Sequence, residues 1–340
     1  MTVNRRVLLR SRPQGLPKES DFALVAEPVP VPGPGQIVIR NAYCSLDPAI
    51  RGWLDDADGY MPPIAIGAPI RASTLGTVVA SEAPGFAPGD MVMGLNGIEE
   101  YSLTRAEGFT TRLDPAAVAA PTNFLSIYGA VGLTAYFGMR EICKPKPGET
   151  VLVSGAAGAV GSLVGQIARI DGCRAVGIAG GMEKCARVVE EFGFDAAIDY
   201  RGKDADALAA AVKDACPAGV DVFFDNVGGV ALEAALANIN YFARLALCGM
   251  ISEYNSTEKV PGPSNLWRLI ARTSTMQGFL IRDYLDRFGE GAAAMMRWVA
   301  EGKLKFREHV DEGIENFHRS FLRLFEGTNQ GKLILKIGDL

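Results

Sequence analysis

Val151-Leu152-Val153-Ser154-Gly155-Ala156-Ala157-Gly158-Ala159-Val160-Gly161, running on into a helical stretch over 162–170, decides the fold of this chain. An apolar strand, a glycine turn and a helix follow one another without a break. Gly158 lets the backbone come close to an anionic group, and Gly161 lets the helix pack closely on the strand. The first amides of the helix, unpaired within it, then face the anion. Ala156 stands where the G-x-G-x-x-G pattern has its first glycine, and no G-K-[ST] closes the loop as in a P-loop. A lone glycine turn also arises from packing, so the surroundings decide its meaning.

Around it, apolar strands are predicted at 151–153, 175–178, 196–198, 220–224, 245–247 and 275–280. Helical runs at 160–170, 183–192, 204–215 and 231–240 separate them. Several strands are apolar at every position, as required when helices cover both faces of a parallel sheet. The alternation predicts a doubly wound α/β domain and makes the glycine turn a dinucleotide site. Before Lys146-Pro147-Gly148-Glu149 the texture is different. Short β segments at 6–9, 22–26, 36–41, 74–80 and 90–93 are cut by turns such as Pro32-Gly33-Pro34-Gly35 and Ala87-Pro88-Gly89-Asp90. These predict a small β-barrel or sandwich. From 303 a helix at 316–325 and a strand at 332–336 are expected to return to that first domain, with the amphipathic stretch 284–301 as the bridge. The domains expected are therefore 1–125 with 303–340, and 126–302.

Composition narrows the function. The 340 residues suggest about two domains, and 48% hydrophobic with 21% charged residues excludes disordered and fibrous classes. A net charge of −5, from 34 basic and 39 acidic residues, argues against a nucleic-acid partner or a polybasic membrane anchor. The uncharged run 115–139 is broken by Pro121, Thr122, Asn123, Ser126, Gly129, Gly132 and Thr134, so it reads as buried chain rather than a membrane span. Arg5-Arg6 precede only Val7-Leu8-Leu9 before Arg10, too short for a signal-peptide core. The 6 cysteines form no C-x-x-C pair, and the expectation is a cytoplasmic protein with reduced thiols. With only His309 and His318 available, no zinc-ligand spacing exists and no metal ligand is assigned. No G-x-S-x-G is present either. Cofactor-borne redox chemistry remains.

The end of the second strand selects the cofactor. NAD sites carry an acid about 20 residues past the loop, bonded to the ribose 2′-OH. Here Gly177-Ile178-Ala179-Gly180-Gly181-Met182-Glu183-Lys184 has no acid closing the strand, and Lys184 lies on the first turn of the next helix. Lys184 is either a partner for a 2′-phosphate, which selects NADP(H), or a solvated surface lysine.

Further segments complete an ordered set: Ser45-Leu46-Asp47-Pro48, Tyr60-Met61-Pro62-Pro63, Gly132-Leu133-Thr134-Ala135-Tyr136, Phe224-Asp225-Asn226-Val227-Gly228-Gly229, Cys248-Gly249-Met250-Ile251-Ser252-Glu253-Tyr254-Asn255 and Gly327-Thr328-Asn329-Gln330-Gly331-Lys332. Together with the loop 155–161 and 180–184, they resemble the zinc-independent branch of the medium-chain dehydrogenase/reductase superfamily. Within it they are most similar to the leukotriene B4 12-hydroxydehydrogenase/prostaglandin reductase family, which includes alkenal double-bond reductases and curcumin reductase. The resemblance implies a GroES-like β-barrel substrate domain built from both chain ends, a Rossmann NADP-binding domain between them, and a homodimer. It implies NADPH-dependent reduction of the carbon–carbon double bond of small-molecule enones or enals, by hydride transfer to the β-carbon.

By the same resemblance the cofactor is held by Gly158, Ala159, Val160 and Gly161, by Lys184 and Tyr200 near the 2′-phosphate, and by Asn226. It is also held by Cys248, Gly249, Ile251, Ser252 and Tyr254, by Phe279, Leu280 and Ile281 beside the nicotinamide, and by Asn329. Tyr254 and Tyr60 are the catalytic candidates. Tyr254 either supplies the proton or lines the pocket while solvent or the ribose supplies it. Tyr60 serves the pocket or packs a loop. Tyr200, Asn226 and Asn329 each have an alternative as cap or turn residues, and Cys248 reads as a small buried residue rather than a reactive thiol. Relatives place an aromatic after Leu46-Asp47-Pro48 where this chain has Ala49-Ile50-Arg51, which bears on pocket width and on the positions of Tyr60 and Trp53. A quinone reductase of the same fold and a non-catalytic NADPH-binding sensor are the alternatives.

Overall fold

Thr150–Ser154 is buried at all its positions, and its side chains alternate between two cores. Val151 and Val153 enter one apolar cluster, while Leu152 enters another on the opposite face. That is why the strand reads as an unbroken apolar run. In this computed structural model, which describes residues 3–340, the chain divides into two units, 3–125 with 308–340 and Ser126–Arg307.

The second unit is a six-stranded parallel sheet. Its spatial order is Ala196–Asp199, Arg174–Ala179, Thr150–Ser154, Val220–Asp225, Ile239–Leu247, Thr275–Gly278. Numbered along the chain this is 3-2-1-4-5-6, the order of a doubly wound dinucleotide fold. The order reverses between Thr150–Ser154 and Val220–Asp225, so the crevice for a ligand opens at the carboxyl ends of those two strands. Helices Ala159–Ile170, Met182–Glu190, Ala205–Ala215 and Gly229–Asn238 make the crossovers.

Four details differ from the sequence reading. The fifth strand begins at Ile239, directly after its helix, rather than at 245, because Asn240, Tyr241, Phe242 and Arg244 hide its periodicity. The sixth strand ends at Gly278. The stretch 284–301 is no bridge. A 3-10 turn Ile281–Arg287 leads into helix Phe288–Ala300, whose Ala294, Met295 and Trp298 are buried in the second unit's core. Gly291 makes this possible, since a Cβ there would stand 2.6 Å from Leu133 Cδ2 on helix Ala130–Phe137. The unit runs on to Arg307, past the expected switch at 303, with Leu304 in its core.

The uncharged run 115–139 folds into 3-10 turns Pro115–Ala117 and Pro121–Leu125 and the start of a helical segment at Ala130. No helix among the described residues is long and apolar enough to cross a membrane.

The first unit holds a seven-stranded sheet and the two-stranded pair Val3–Leu9 with Phe22–Pro28. The strand Lys332–Lys336 lies inside the larger sheet, parallel to Glu308–Glu312 and antiparallel to Gln36–Ser45. The buried Lys332 ammonium donates to the Leu46 carbonyl at 2.8 Å and to Asp47 Oδ1 at 2.6 Å, and Ser45 Oγ donates to the other oxygen of Asp47. The two chain ends are thereby joined at the Ser45-Leu46-Asp47 segment.

Gly132 has no room for a side chain, since a Cβ would lie 1.8 Å from the Ile127 carbonyl oxygen. Backbone cannot swing away as a side chain can. Gly132→Ala should therefore cost about 1–3 kcal/mol and lower the Tm by several degrees in differential scanning fluorimetry; an unshifted Tm would contradict this packing.

Candidate active site

The glycine turn is shaped by contacts that only small residues allow. Gly155 takes φ 60°, which an L side chain adopts only with strain, and its carbonyl accepts from the Gly158 amide at 2.9 Å. A Cβ at Gly161 would stand 2.3 Å from the same carbonyl oxygen, so the helix meets the strand as closely as backbone permits. Ala156 is fully buried, and the strand beside it makes space, because a Cβ at Gly177 would lie 2.6 Å from Ala156 Cβ. No side chain caps helix Ala159–Ile170, which leaves its first-turn amides for an external acceptor.

Across the switch point the two central strands are fastened by a buried pair. Ser154 Oγ donates to Asp225 Oδ1 at 2.6 Å, and that oxygen also accepts from the Val227 and Gly228 amides at 3.0 and 3.1 Å. Ser154 Oγ in turn accepts from the Asn226 amide at 2.8 Å, and Asn226 Nδ2 donates to the Ser154 carbonyl at 2.8 Å. Asp225 is fully buried and its Oδ2 has no hydrogen-bond partner among the described residues. Burial pushes its carboxyl pKa up. The sequence reading passed over Ser154 and Asp225. A carboxylate closing the apolar run 220–224 was the signal available.

The turn after the fifth strand hangs from the same point. The Cys248 and Gly249 amides donate to the Asp225 carbonyl at 2.8 and 3.2 Å. The Ile251 amide donates to the Asn226 carbonyl at 3.4 Å, and the Ser252 amide and hydroxyl donate to the Val227 carbonyl at 3.1 and 2.6 Å. The Tyr254 hydroxyl accepts from the Met250 amide at 3.2 Å. Asn226, Cys248, Gly249, Ile251, Ser252 and Tyr254 therefore form one hydrogen-bonded assembly. Burial pushes the Cys248 thiol up to about 12, with Asp225 adding to it, so the thiol stays neutral and unreactive. Burial also raises the Tyr254 phenol above its ordinary value, keeping it a donor.

A second cluster forms at the end of the second strand. Tyr200 lies over Gly180, with its ring 3.1 Å from the position a Cβ would take there. Lys184 sits in the first turn of Met182–Glu190, and burial lowers its pKa, helped by the positive charges of Arg187 and Arg201. Asp199 Oδ1 accepts from the Gly181 and Arg201 amides at 2.8 and 3.0 Å. Phe279 packs edge-on against Phe224, ring centroids 6.0 Å apart, and Leu280 and Ile281 beside it are half-buried. Tyr284 stacks on Phe137 at 4.7 Å and is part of the core.

Tyr60 and Asn329 belong to the first unit. Tyr60 is half-exposed and meets Trp53 edge-on at 6.4 Å. Asn329 Nδ2 donates to the Gly331 carbonyl at 2.9 Å, within its own turn. In the Ala49–Trp53 helix, Ile50 is buried and the buried Arg51 guanidinium binds Asp55 at 2.7 Å and the Gly15 carbonyl at 3.2 Å. His309 pairs with Asp311 at 3.2 Å and His318 meets the Pro17 carbonyl at 3.0 Å. No group of three or more His, Cys, Asp or Glu among the described residues could hold a metal ion.

Two family descriptions match the chain: N-terminal domain of oxidoreductase over residues 5–111 and zinc-binding dehydrogenase over 159–301. The chain is 40% identical over 342 residues to the NADPH-dependent curcumin reductase of Escherichia coli, covering 99% of this chain and 98% of that one. It is 39% identical over 338 residues to the 2-alkenal reductase (NADP(+)-dependent) of Nicotiana tabacum, covering 98% and 97%. The crystal structure of CurA in complex with NADPH from Vibrio vulnificus superimposes with a TM-score of 0.92 at 39% identity, over 99% of this chain and 100% of that one.

Removing the Asp225 carboxyl would strand the Ser154 hydroxyl and two amides in the interior. Asp225→Ala should therefore cost about 2–3 kcal/mol, while Asp225→Asn keeps an acceptor at Oδ1. Because the folded pKa is raised, the wild-type carboxyl contributes most below its unfolded pKa of about 4, and that contribution falls as pH rises toward the folded value. Asn does not titrate. Chemical denaturation from pH 4 to 8 should thus show Asp225→Asn gaining on wild type as pH increases; a pH-independent difference would contradict the raised pKa.

Proposed function

The chain belongs to the zinc-independent medium-chain dehydrogenase/reductase family, in its alkenal, curcumin and prostaglandin reductase branch, and on that premise we propose that it reduces the carbon–carbon double bond of α,β-unsaturated ketones and aldehydes with NADPH. The observation that carries this reading is the turn 248–254, hung from the end of strand Val220–Asp225 at the switch point and carrying a phenol that burial keeps protonated. Full-length likeness to reductases named for NADPH and for alkenals supports the same reading.

The residues fit a phosphorylated dinucleotide. A glycine turn without side chains at 158 and 161, an uncapped helix start, and a lysine where NAD sites keep an acid all suit its charges. In this reading Gly158, Ala159, Val160 and Gly161 hold the pyrophosphate, and Lys184 and Tyr200 the 2′-phosphate. Asn226, Cys248, Gly249, Ile251, Ser252, Phe279, Leu280 and Ile281 bound the nicotinamide half. Asn329 and Tyr60 are carried over from the resemblance alone.

When bound, the reduced nicotinamide supplies a hydride. The residues of this chain do the remainder. As the β-carbon of the enone accepts the electron pair, negative charge develops on the carbonyl oxygen, and a donor already aimed at that oxygen lowers the barrier. Tyr254 is assigned that role, or delivery of the proton to the α-carbon. Its hydroxyl is oriented by the Met250 amide, and burial keeps it protonated at neutral pH.

We also propose a homodimer formed along the sheet edge. Thr275–Gly278 is the outermost strand of its sheet, and nearby Phe242, Trp267 and Ile270 are 66%, 59% and 85% exposed. An open strand edge beside bulky apolar side chains is a surface that a second copy covers. Phe242 has a left-handed backbone, with φ 61°.

Steady-state assays should show NADPH-dependent turnover of enones and alkenals, with the saturated carbonyl as product and no loss in EDTA. Turnover confined to quinones would move the function to quinone reduction, and silence with retained NADPH binding would indicate a sensor. Tyr254→Phe should reduce turnover at least about tenfold, roughly 1.4 kcal/mol of barrier; an unchanged rate would make it pocket lining. Because the phenol pKa is raised, wild-type turnover should stay flat from pH 7 to about 9 before any loss of this proton, given an ordinary value of about 10. Sedimentation velocity should show a dimer for wild type and a monomer for Ile270→Asp; a wild-type monomer would refute the dimer.

A further inference from the structure

Two adjacent glycines, Gly180 and Gly181, end the second strand, and two adjacent side chains from the third strand's end cover them. Tyr200 lies over Gly180, and Arg201 lies over Gly181. A Cβ at Gly181 would stand 2.7 Å from Arg201 Nη1 and 3.0 Å from its Cζ, so the guanidinium rests on the glycine backbone itself. The overlap is locked from below, because Asp199 Oδ1 accepts from both the Gly181 and the Arg201 amides. One carboxylate therefore fixes the backbone at both positions, and the guanidinium lies in the space left by a missing side chain.

The charge balance at this place is unusual. Arg187 and Arg201 both act electrostatically on Lys184. Of the acids nearby, Glu183 is paired with Arg187 at 2.8 Å and also acts on Lys184, and Asp199, which spends an oxygen on two backbone amides, feels the Arg201 charge at longer range. Among the described residues no carboxylate lies within ion-pair distance of the Arg201 guanidinium. A fork of N–H donors held beside a lysine, over a turn that has no side chain, suits a dianionic oxygen cluster.

We infer that Arg201 is a second determinant of cofactor choice, which shares the 2′-phosphate with Lys184 by laying its guanidinium over Gly181. The inference rests on the NADPH reading proposed above and adds to it a residue and a division of labour. It predicts that neither cation alone carries the selectivity.

The test measures dissociation constants of 2′,5′-ADP and of ADP by calorimetry for wild type, Arg201→Gln, Arg201→Lys and Lys184→Gln, with thermal melts to verify folding. Selectivity is the ratio of the ADP constant to the 2′,5′-ADP constant. Charged hydrogen bonds to phosphate contribute about 10- to 150-fold in affinity, and the exposure of Arg201 puts it at the lower end. Arg201→Gln should reduce the ratio about tenfold, Arg201→Lys should restore part of it, and Lys184→Gln should leave a residual preference. A ratio within about twofold of wild type in Arg201→Gln, with Lys184→Gln abolishing it, would overturn the role of Arg201 and leave NADPH intact. A wild type that does not distinguish the two ligands would overturn the NADPH reading, and the role of Arg201 with it.

Discussion

The hydrogen bond from Ser154 to Asp225 joins the ends of two parallel strands at the one place in the sheet where the crossovers part to opposite sides. The switch-point side of the proposed site in the second unit is suspended from it. Through Asp225 Oδ1 it fixes the amides of Val227 and Gly228, and through Ser154 it fixes Asn226. Through the Asp225 carbonyl it fixes the turn that carries Tyr254. A polar pair in such a position is expensive, since burying an acid in an apolar sheet raises its pKa. Its use is geometric: the carboxyl meets three donors at once, which no apolar residue of that size does.

Burial has two opposite chemical outcomes within a few residues here. It makes the Cys248 thiol a neutral filler by holding it far from its thiolate. It makes the Tyr254 phenol useful for the same reason, since a phenol that will not ionise is always ready to donate. The distinction lies in what each group must do: a thiol acts as an anion, whereas a phenol acts as an acid.

Much of this was legible in the sequence because it is written in local terms. The strand–turn–helix at 150–170, the apolar strands and the turns of the first unit each carry a signal within about ten residues. What was not legible depends on distant residues. Ser154 and Asp225 are 71 positions apart, and Gly177 explains Ala156 only when two strands lie side by side. Arg201 has meaning only against Gly181. The helix Phe288–Ala300 looks like a connector from its amphipathic pattern, and only the contact of Gly291 with Leu133 shows which core it belongs to. The first half of the fifth strand is hidden because Asn240, Tyr241, Phe242 and Arg244 give it no alternating apolar pattern.

The strand Lys332–Lys336 inside the sheet of the first unit sets the order in which the chain can mature. During synthesis Gln36–Ser45 is made early, but its partner strand is among the last segments to leave the ribosome. At about 5–20 residues per second, the edge of Tyr43–Ser45, the part of that strand which pairs with it, stands open for tens of seconds while the whole second unit is made. The half of the protein that is translated first is thus the half that finishes folding last. A chain cut short anywhere before 332 carries an unfilled slot in its sheet, an open strand edge of the kind that pairs with other chains.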